Sequence, residues 1–305
     1  MFNGQSAIIF ICKGNLLLMA PVFSITNTNR KAFTMVPLSV VIITKNEAEA
    51  IVECIAAAKL ITDDIIIIDN YSTDETCSIA LTEGCRLYQC NWDGYGANKN
   101  KGVALARYNW ILSIDADEIA DLELVLSLHT LKLDDPTMVY DVRFKSYFGK
   151  KLIRHGAWGR DHHIRLFNRT RVRWSESNVH ETLQLPEGTQ MQRLDGFLHH
   201  YSVKDRRECY AKALHYARLS AEKYLSNGKR ANAVNLYLSP LFGFVKSYIL
   251  FGGFLDGKEG LAIAQITYKN KWLKYHYLLK LENNLEKDKY PKPKPKQSLA
   301  VEYSH

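Results

Sequence analysis

The chain has 305 residues, 47% of them hydrophobic and 24% charged, a globular composition long enough for one large domain or two modest ones. Its formal net charge of +8 asks for an anionic partner without identifying it. Six cysteines (Cys12, Cys54, Cys77, Cys85, Cys90 and Cys209) form no CxxC pair and keep no regular spacing, which argues against a disulfide framework and for reduced thiols in a cytoplasmic protein.

In chain order, residues 1–36 differ from the rest. "AIIFIC" and "LLLMA" are apolar but split by Lys13, Gly14 and Asn15, too short and broken for a span and without the basic start of a secretory signal. Met35 stands directly before the first ordered pattern, so a poorly ordered leader or an over-extended start is expected. "LSVVIIT" (38–44) is a continuous β-branched run, the mark of a strand buried on both faces. Asn46 with Glu49 reads as a capping pair opening a helix, with Ile51, Val52 and Ile55 as its buried stripe. "DIIIID" (64–69) is a second strand. Ser72 with Glu75 reads as another capping box, and Gly84 ends that helix. "CRLYQC" is a short third strand, "GYGANKNKGVALA" a third helix and "WILSID" a fourth strand. Strands alternating with helices of this length predict an α/β fold with a parallel sheet. Ligands on such sheets bind outside the carboxyl ends of the strands. Here those ends carry Thr44, Asn46 and Glu47, then Asp69, Asn70 and Ser72, then Asp115 and Asp117.

Two carboxylates two residues apart at a strand end repel one another unless a cation sits beside them. Hard oxygen ligands suit Mg²⁺ or Mn²⁺, which keep waters and bind a substrate diphosphate. The plainer alternative is a solvated helix cap, because acids favour the first turn of a helix.

Taken together, "VVIITKNEA", "IIIIDNYSTDET", "NKNKG" and "ILSIDADE" resemble the family 2 glycosyltransferases, whose GT-A nucleotide-sugar-binding fold has a mostly parallel central sheet with flanking helices. The later "ESNVHETL" and "FLHHYS" resemble the branch of lipopolysaccharide-core β-1,4-glucosyltransferases of Gram-negative bacteria. The resemblance runs over roughly residues 36–280. It implies that Thr44, Asn46 and Glu47 line a nucleoside pocket and that Asp69 accepts a hydrogen bond from uracil. It implies that Lys99 faces the diphosphate, Asp115 the ribose and metal, and that Asp117 ligates the metal of a DxD motif. Asn46 reads equally as a helix cap, and Asp74 as serving a helix start. His200 is a candidate third ligand, since imidazole suits Mn²⁺ better than Mg²⁺, or a buried structural histidine.

An inverting transfer also needs a carboxylate that takes the acceptor hydroxyl proton. Many family 2 enzymes carry it in an "ED" pair, which the acceptor half here lacks. The candidate is Glu181, with Glu176 second, and His180 beside it would position acceptor or phosphate. Between Tyr140 and Trp174 ten Lys or Arg face only Asp141 and Asp161, a surplus of eight that equals the charge of the entire chain. A solvated basic face is the ordinary reading of such a run. Beside an acceptor site it favours an anionic saccharide, with Tyr147, Phe148, Trp158 and Trp174 as sugar-stacking or core aromatics.

The C-terminal third reads as helical. "DRRECYAKALHYARLSAEKYLSNGKR" carries Tyr210, Leu214, Ala217 and Ala221 along one side. "LYLSPLFGFVKSYILFGGFLDG" is apolar, but Pro240, Lys246 and Gly252-Gly253 argue against a span, since a mid-bilayer Lys costs roughly 2.5 to 3.5 kcal/mol. An interfacial segment flanked by "KNKWLKYHYLLK" fits better, with plain packing as the alternative. "KDKYPKPKPKQS" is a charged extended tail. The expected organisation is a leader (1–36), a catalytic domain (37–205, nucleotide-sugar half 37–118, acceptor half 119–205), a helical membrane-peripheral region (206–285) and a disordered tail (286–305). The expected function is a cytoplasmic, metal-dependent transferase at the inner face of the bacterial inner membrane, moving glucose from UDP-glucose to an inner-core heptose on an anionic lipid-linked saccharide. Alternatives are transfer to another cell-envelope glycan, a nucleotidyltransferase, which wants a Gly-rich phosphate loop where "TKNEAEA" stands, and a catalytically dead carbohydrate-binding or membrane scaffold. Nucleic acid is not expected, because no recognised module is present and the positive charge is confined to one region.

Overall fold

The computed structural model describes residues 35–175 and 181–289, with two short strands at Ile11–Cys12 and Asn15–Leu16. The remainder of the leader, Glu176, His180 and the tail from residue 290 lie outside the described residues. The first strand of the central sheet, β1 (Leu38–Thr44), is buried at all seven positions. Leu38, Val40 and Ile42 join one apolar cluster, and Val41 and Ile43 join the other. Alternation across a strand with period two explains why an unbroken β-branched run is needed: both faces are covered. Helix α1 (Ile51–Lys59), β2 (Ile65–Asp69), α2 (Thr76–Thr82), β3 (Arg86–Gln89), α3 (Tyr95–Leu105) and β4 (Trp110–Asp115) follow in the expected alternation. Next come β5 (Glu118–Ala120), α4 (Leu122–Thr130), β6 (Met138–Phe148), β7 (Lys151–Leu152) and β8 (His162–Asn168). A two-stranded ribbon, β9 (Arg173–Trp174) and β10 (Leu183–Gln184), precedes the long β11 (Gln190–Val203).

The sheet runs β3-β2-β1-β4-β8-β6-β11-β5, with β7 on β6. Its first four strands are parallel, as expected of the α/β class; β8 then pairs antiparallel with both β4 and β6, and β11 antiparallel with β5. Helix α3 lies close on the parallel strands because Gly102 has no side chain: a Cβ there would sit 2.3 Å from Val41 Cγ1. That is the physical reason for the glycine of "NKNKG".

Several local expectations are corrected. Helix α1 starts at Ile51 with no side-chain cap, and Asn46 adopts φ +55° instead of capping it. Its buried stripe is Ile51, Cys54 and Ile55, leaving Val52 exposed. Helix α2 likewise has no side-chain cap from Ser72. In both cases a tertiary hydrogen bond took the side chain that local pattern would spend on a helix end. Asp74 does serve its helix start, accepting from Thr76 N at 3.1 Å, and Gly84 follows the end of α2 at φ +72°. Cys54, Cys77, Cys85, Cys90 and Cys209 are free thiols.

The described chain divides into two compact units. One holds residues 35–145, 162–175 and 182–201, and the other residues 146–161, 181 and 202–289. In the second, α5 (Arg206–Ser226) packs beside the long α7 (Gly257–Lys289), with α6 (Ser239–Val245) between two π-helical turns, Val234–Leu238 and Lys246–Leu250. The buried side of α5 is Cys209, Ala213, Ala217, Ser220 and Ala221, so Tyr210 and Leu214 lie off the expected stripe. Small residues win this face because α5 and α7 approach closely. Phe148 and Trp158 pack against the Val203, Cys209, Ala213 and Ile266 cluster, as core rather than as an open aromatic face. Among the described residues no single helix is long and apolar enough to cross a membrane.

Candidate active site

Strand pairing alone gathers the polar strand ends. Thr44 is the register partner of Asp69, and Ile43 that of Asp115, so the carboxyl ends of β1, β2 and β4 stand side by side. Asn46 Oδ1 accepts from Thr73 N at 2.8 Å, and Ser72 Oγ accepts from Asn46 N at 2.8 Å. This reciprocal clasp ties the loop after β1 to the loop after β2. Glu47 N donates to Thr76 Oγ1 at 2.9 Å, extending it.

Asp69 is fully buried and accepts from Ser72 N at 2.9 Å, from the Ser72 hydroxyl and from Gln89 Nε2 at 3.0 Å. Burial would raise its pKa, but those hydrogen bonds hold it below the ordinary carboxylate value. Asp69 is therefore an ionised organiser of its own loop, with Ser72 and Gln89 as partners.

The acids of "DADE" sit within a charge network. Lys99, from α3, is 1% exposed, lies 3.3 Å from Asp115 Oδ1 and stands 4.6 Å over the Trp174 ring. Arg165, from β8, ion-pairs with Glu118 and reaches Asp115 Oδ2 at 3.8 Å. Glu118 Oε2 accepts the Asp115 backbone N–H at 3.1 Å, fixing the turn that carries both aspartates. Burial raises Asp115, yet Lys99, Arg165 and His200 outweigh it and hold the group ionised, below the usual value. Glu118 goes the other way: burial lifts it, Arg165 opposes, and the Asp115 charge lifts it further. Sequence reasoning gave Glu118 and Arg165 no role. The signal available was a third acid directly after DxD and an arginine within an apolar strand, "HHIRLFN".

His200 enters from β11, opposite Glu118 in register. Its Nε2 lies 3.5 Å from Asp117 Oδ2, and Tyr201 N donates to Asp117 O at 3.1 Å. Burial would lower the imidazole pKa, but Asp117, Glu118 and Asp115 push it up to about 9. Thr44 Oγ1 and His200 Nδ1 are buried and make no hydrogen bond, and Asp115 Oδ1 meets Lys99 outside hydrogen-bond alignment. Among the described residues no three His, Cys, Asp or Glu side chains form a cage for a metal. The carboxylates Asp115 and Asp117 nonetheless fit a hard divalent cation, which binds through one or two carboxylates and completes its shell with water and phosphate.

Glu181 is half-buried and belongs to the second compact unit. Within the first unit, the described residues on either side of 176–181 are joined. Ser175 N donates to Thr182 O at 2.8 Å, and Trp174 pairs with Leu183. Trp174 itself is exchanged with Asn100 through two hydrogen bonds, at 2.9 and 3.1 Å, while its ring covers Lys99.

The basic run does not form one patch. Arg165 joins the acids, and Arg143 and Lys145 lie over the Phe197 ring at 4.4 and 4.1 Å. Strand β8 then runs antiparallel to β4, with Asn168 opposite Trp110, and so carries the chain to the other end of the sheet. There Arg169 donates to Val103 O and Ala106 O, closing the end of α3, and Arg173 pairs with Gln184. The expectation that this surplus charge gathers beside the acceptor is corrected by strand direction.

Residues 39–184 match the model of Glycosyl transferase family 2. An uncharacterized glycosyltransferase of Rickettsia prowazekii is 28% identical over 271 residues, covering 84% of this chain and 92% of its own. Glucosyl-3-phosphoglycerate synthase of Mycobacterium tuberculosis, solved with Mn²⁺ and UDP-glucose, is similar over 36% of this chain and 44% of that one, at 24% identity and TM-score 0.31. S. aureus TarS is similar over 79% of this chain and 90% of that one, at 13% identity and TM-score 0.41. By the family match across the sheet and its acidic strand ends, residues 39–184 form a glycosyl transferase family 2 domain, and the chain around it aligns with a glycosyltransferase along nearly the whole length of that relative.

Proposed function

We propose that the protein transfers glucose from UDP-glucose, with inversion, to an inner-core heptose of lipopolysaccharide, working on an anionic lipid-linked saccharide at the cytoplasmic face of the inner membrane. The observation that carries this reading is the meeting of Asp115, Asp117 and His200 with Lys99 and Arg165 at the carboxyl ends of the parallel strands. Asp115, Asp117 and His200 would hold Mg²⁺ or Mn²⁺, which supplies neutralising charge for a departing diphosphate. Lys99 adds a fixed cation on the same side, and its burial under Trp174 keeps it from being screened by water. Thr44, Asn46, Glu47 and Asp69 hold the two loops into which a nucleoside would fit, Asn46 through the clasp to Thr73 and Ser72.

Glu181 is the proposed base that takes the acceptor hydroxyl proton as its oxygen attacks the anomeric carbon. Support comes from its place in the chain, since Leu183, two residues on, is the strand partner of the tryptophan that covers Lys99. The test pairs a thermal-shift panel of UDP- and GDP-sugars in Mn²⁺ with transfer to a truncated core acceptor. UDP-glucose should raise the melting temperature most. Glu181→Gln should keep donor affinity and lose about 10² to 10⁴-fold in transfer rate. A collapse in Glu176→Gln alone moves the base there. Selective stabilisation by GDP-sugars, or transfer only to another envelope glycan, replaces the donor or acceptor. Release of pyrophosphate from a nucleoside triphosphate would favour a nucleotidyltransferase.

A further inference from the structure

The segment 229–255 has its side chains the wrong way round for a helix packed in water. Pro240, Gly243 and Ser247, spaced three and four apart, are buried. A Cβ on Gly243 would stand 2.8 Å from Lys271 Cδ, so α6 lies against α7 on its small-residue side. The large apolar residues face outward. Among the described residues thirteen large apolar side chains are more than half exposed, and nine of them fall between Val234 and Leu255. Leu238, Leu241 and Phe242 follow one another along the outer side of the helix, and Leu250, Phe254 and Leu255 continue past its end, all between 51% and 63% exposed. An amphipathic helix of a soluble domain places Leu and Phe inward, and contiguous apolar surface left outward marks an interaction face.

The charges around this face name its partner. From residue 229 to 255 the chain has Lys229, Arg230 and Lys246 and no acid. From 256 to 280 it adds five lysines against Asp256 and Glu259. Neither acid offsets Lys246: Asp256 is buried and accepts from His155 N at 2.8 Å, and Glu259 pairs with Lys151 at 3.1 Å and Lys258 at 3.8 Å. Lys246 is exposed and stands one helical turn beyond Phe242, whereas Lys271 packs on the Gly243 side and Lys274 donates to Tyr224 Oη at 3.1 Å. Trp272 and Tyr275 occur within the same lysine-rich turn. The helices bend by 70° between Val234–Leu250 and the segment beginning at Gly253, so a straight crossing is not what the geometry offers. The bend is built in. Gly253 and Gly260 meet where a Cβ on Gly260 would lie 1.8 Å from Gly253 O, and no other residue fits that contact.

We propose that residues 234–255 form a membrane-docking face that inserts Leu241, Phe242, Leu250 and Phe254 shallowly below the headgroups of a bilayer bearing anionic lipid, with Lys246 at the phosphate level. This deepens the peripheral-membrane part of the proposed function by giving it its residues, and it rests on that reading only for which membrane is met. Interfacial helices of this kind bury the apolar face about 5–10 Å deep and gain further from anionic headgroups.

The experiment is flotation of the full chain with vesicles of phosphatidylglycerol and phosphatidylethanolamine, and with phosphatidylcholine alone, alongside calorimetric UDP binding in Mn²⁺. The wild type should bind anionic vesicles, and less tightly in high salt. Leu241→Asp and Phe242→Asp should each weaken vesicle binding on the order of tenfold or more, the loss expected for one buried apolar side chain. Both should bind UDP as the wild type does, and Leu126→Asp, at an exposed leucine on α4, should leave vesicle binding unchanged. No vesicle binding by the wild type, or equal binding by Leu241→Asp and Phe242→Asp, overturns the proposal. So does a wild-type dimer in solution that these substitutions make monomeric, because a second copy would then be the partner. Absent UDP binding with intact vesicle binding would sink the transferase reading and leave the docking face standing.

Discussion

In β1, Leu38, Val40 and Ile42 are wholly buried while polar residues wait at the strand end; in α6 and its flanking turns, Leu238, Leu241 and Phe242 are exposed while Pro240, Gly243 and Ser247 are buried. The two regions use opposite rules for the same kinds of side chain. In the sheet, apolar burial supplies stability, and function is confined to the polar edge where the strands stop. In the helical segment, close approach of small residues supplies the packing, and the apolar side chains are left over for another phase. The contrast teaches that apolar content alone does not locate a core: what lies opposite each side chain decides it.

The largest expected effect is on the edge of the sheet. Asp117→Asn should lower metal-dependent transfer by about 10³-fold while leaving the melting temperature near that of the wild type. Near-normal turnover in Mn²⁺ and Mg²⁺ would remove the metal role from this edge. Arg165→Met comes next, because it strands Glu118 in a site that is 1% exposed. Removing one partner of a buried ion pair costs about 3 to 5 kcal/mol, read here as a lower urea midpoint. Glu118→Gln in the same background should recover part of that loss, and no recovery would mean that Arg165 acts through packing on Phe144.

The comparison itself is sharpened by two truncations. Ile42→Ala should cost about 2 to 5 kcal/mol, whereas Leu241→Ala should stay within about 0.5 kcal/mol. Similar losses at both positions would erase the distinction between core and docking face. The last effect is electrostatic. Asp121 caps α4, accepting from Leu124 N at 2.9 Å and Phe197 N at 3.1 Å, and Lys145 lies 3.5 Å away. Burial alone would raise its pKa, but these partners and His199 bring it down to about 2. A depressed folded pKa means the unfolded chain binds the proton more readily, so this contribution is complete above roughly pH 4 and is lost as pH falls through about 2. Asp121→Asn should remove about 1 to 2 kcal/mol at pH 6 and narrow its gap to the wild type as the pH drops. A gap independent of pH would make the residue a neutral cap.

Much of the sheet was legible in the chain. Strands β1, β2 and β4 are apolar runs that both faces of a sheet must bury, and their abrupt polar ends mark where burial stops. Asp115, Asp117, Asp69, Thr44 and Lys99 could be singled out there, because each stands at a fixed offset from a recognisable strand or motif. The capping signatures misled at Asn46 and Ser72. A helix cap and a loop clasp ask for the same short polar side chains, and which one forms depends on what the neighbouring loop presents.

The sequence by itself determined the period-two and strand–helix alternation, the acids at the strand ends and the apolar stretch near residue 240, since these are properties of neighbours along the chain. Tertiary structure decided the rest. It brought Arg165 to Glu118 and His200 to Asp117 across strands that local pattern does not pair, and it sent Arg169 and Arg173 to the far end of the sheet through the direction of β8. It also turned Leu241 and Phe242 of α6 outward by packing its glycine against α7. The physical reason is common to all four: an ion pair or a buried face needs a partner, and the partner is chosen by strand direction and close approach, neither of which is written in adjacent residues.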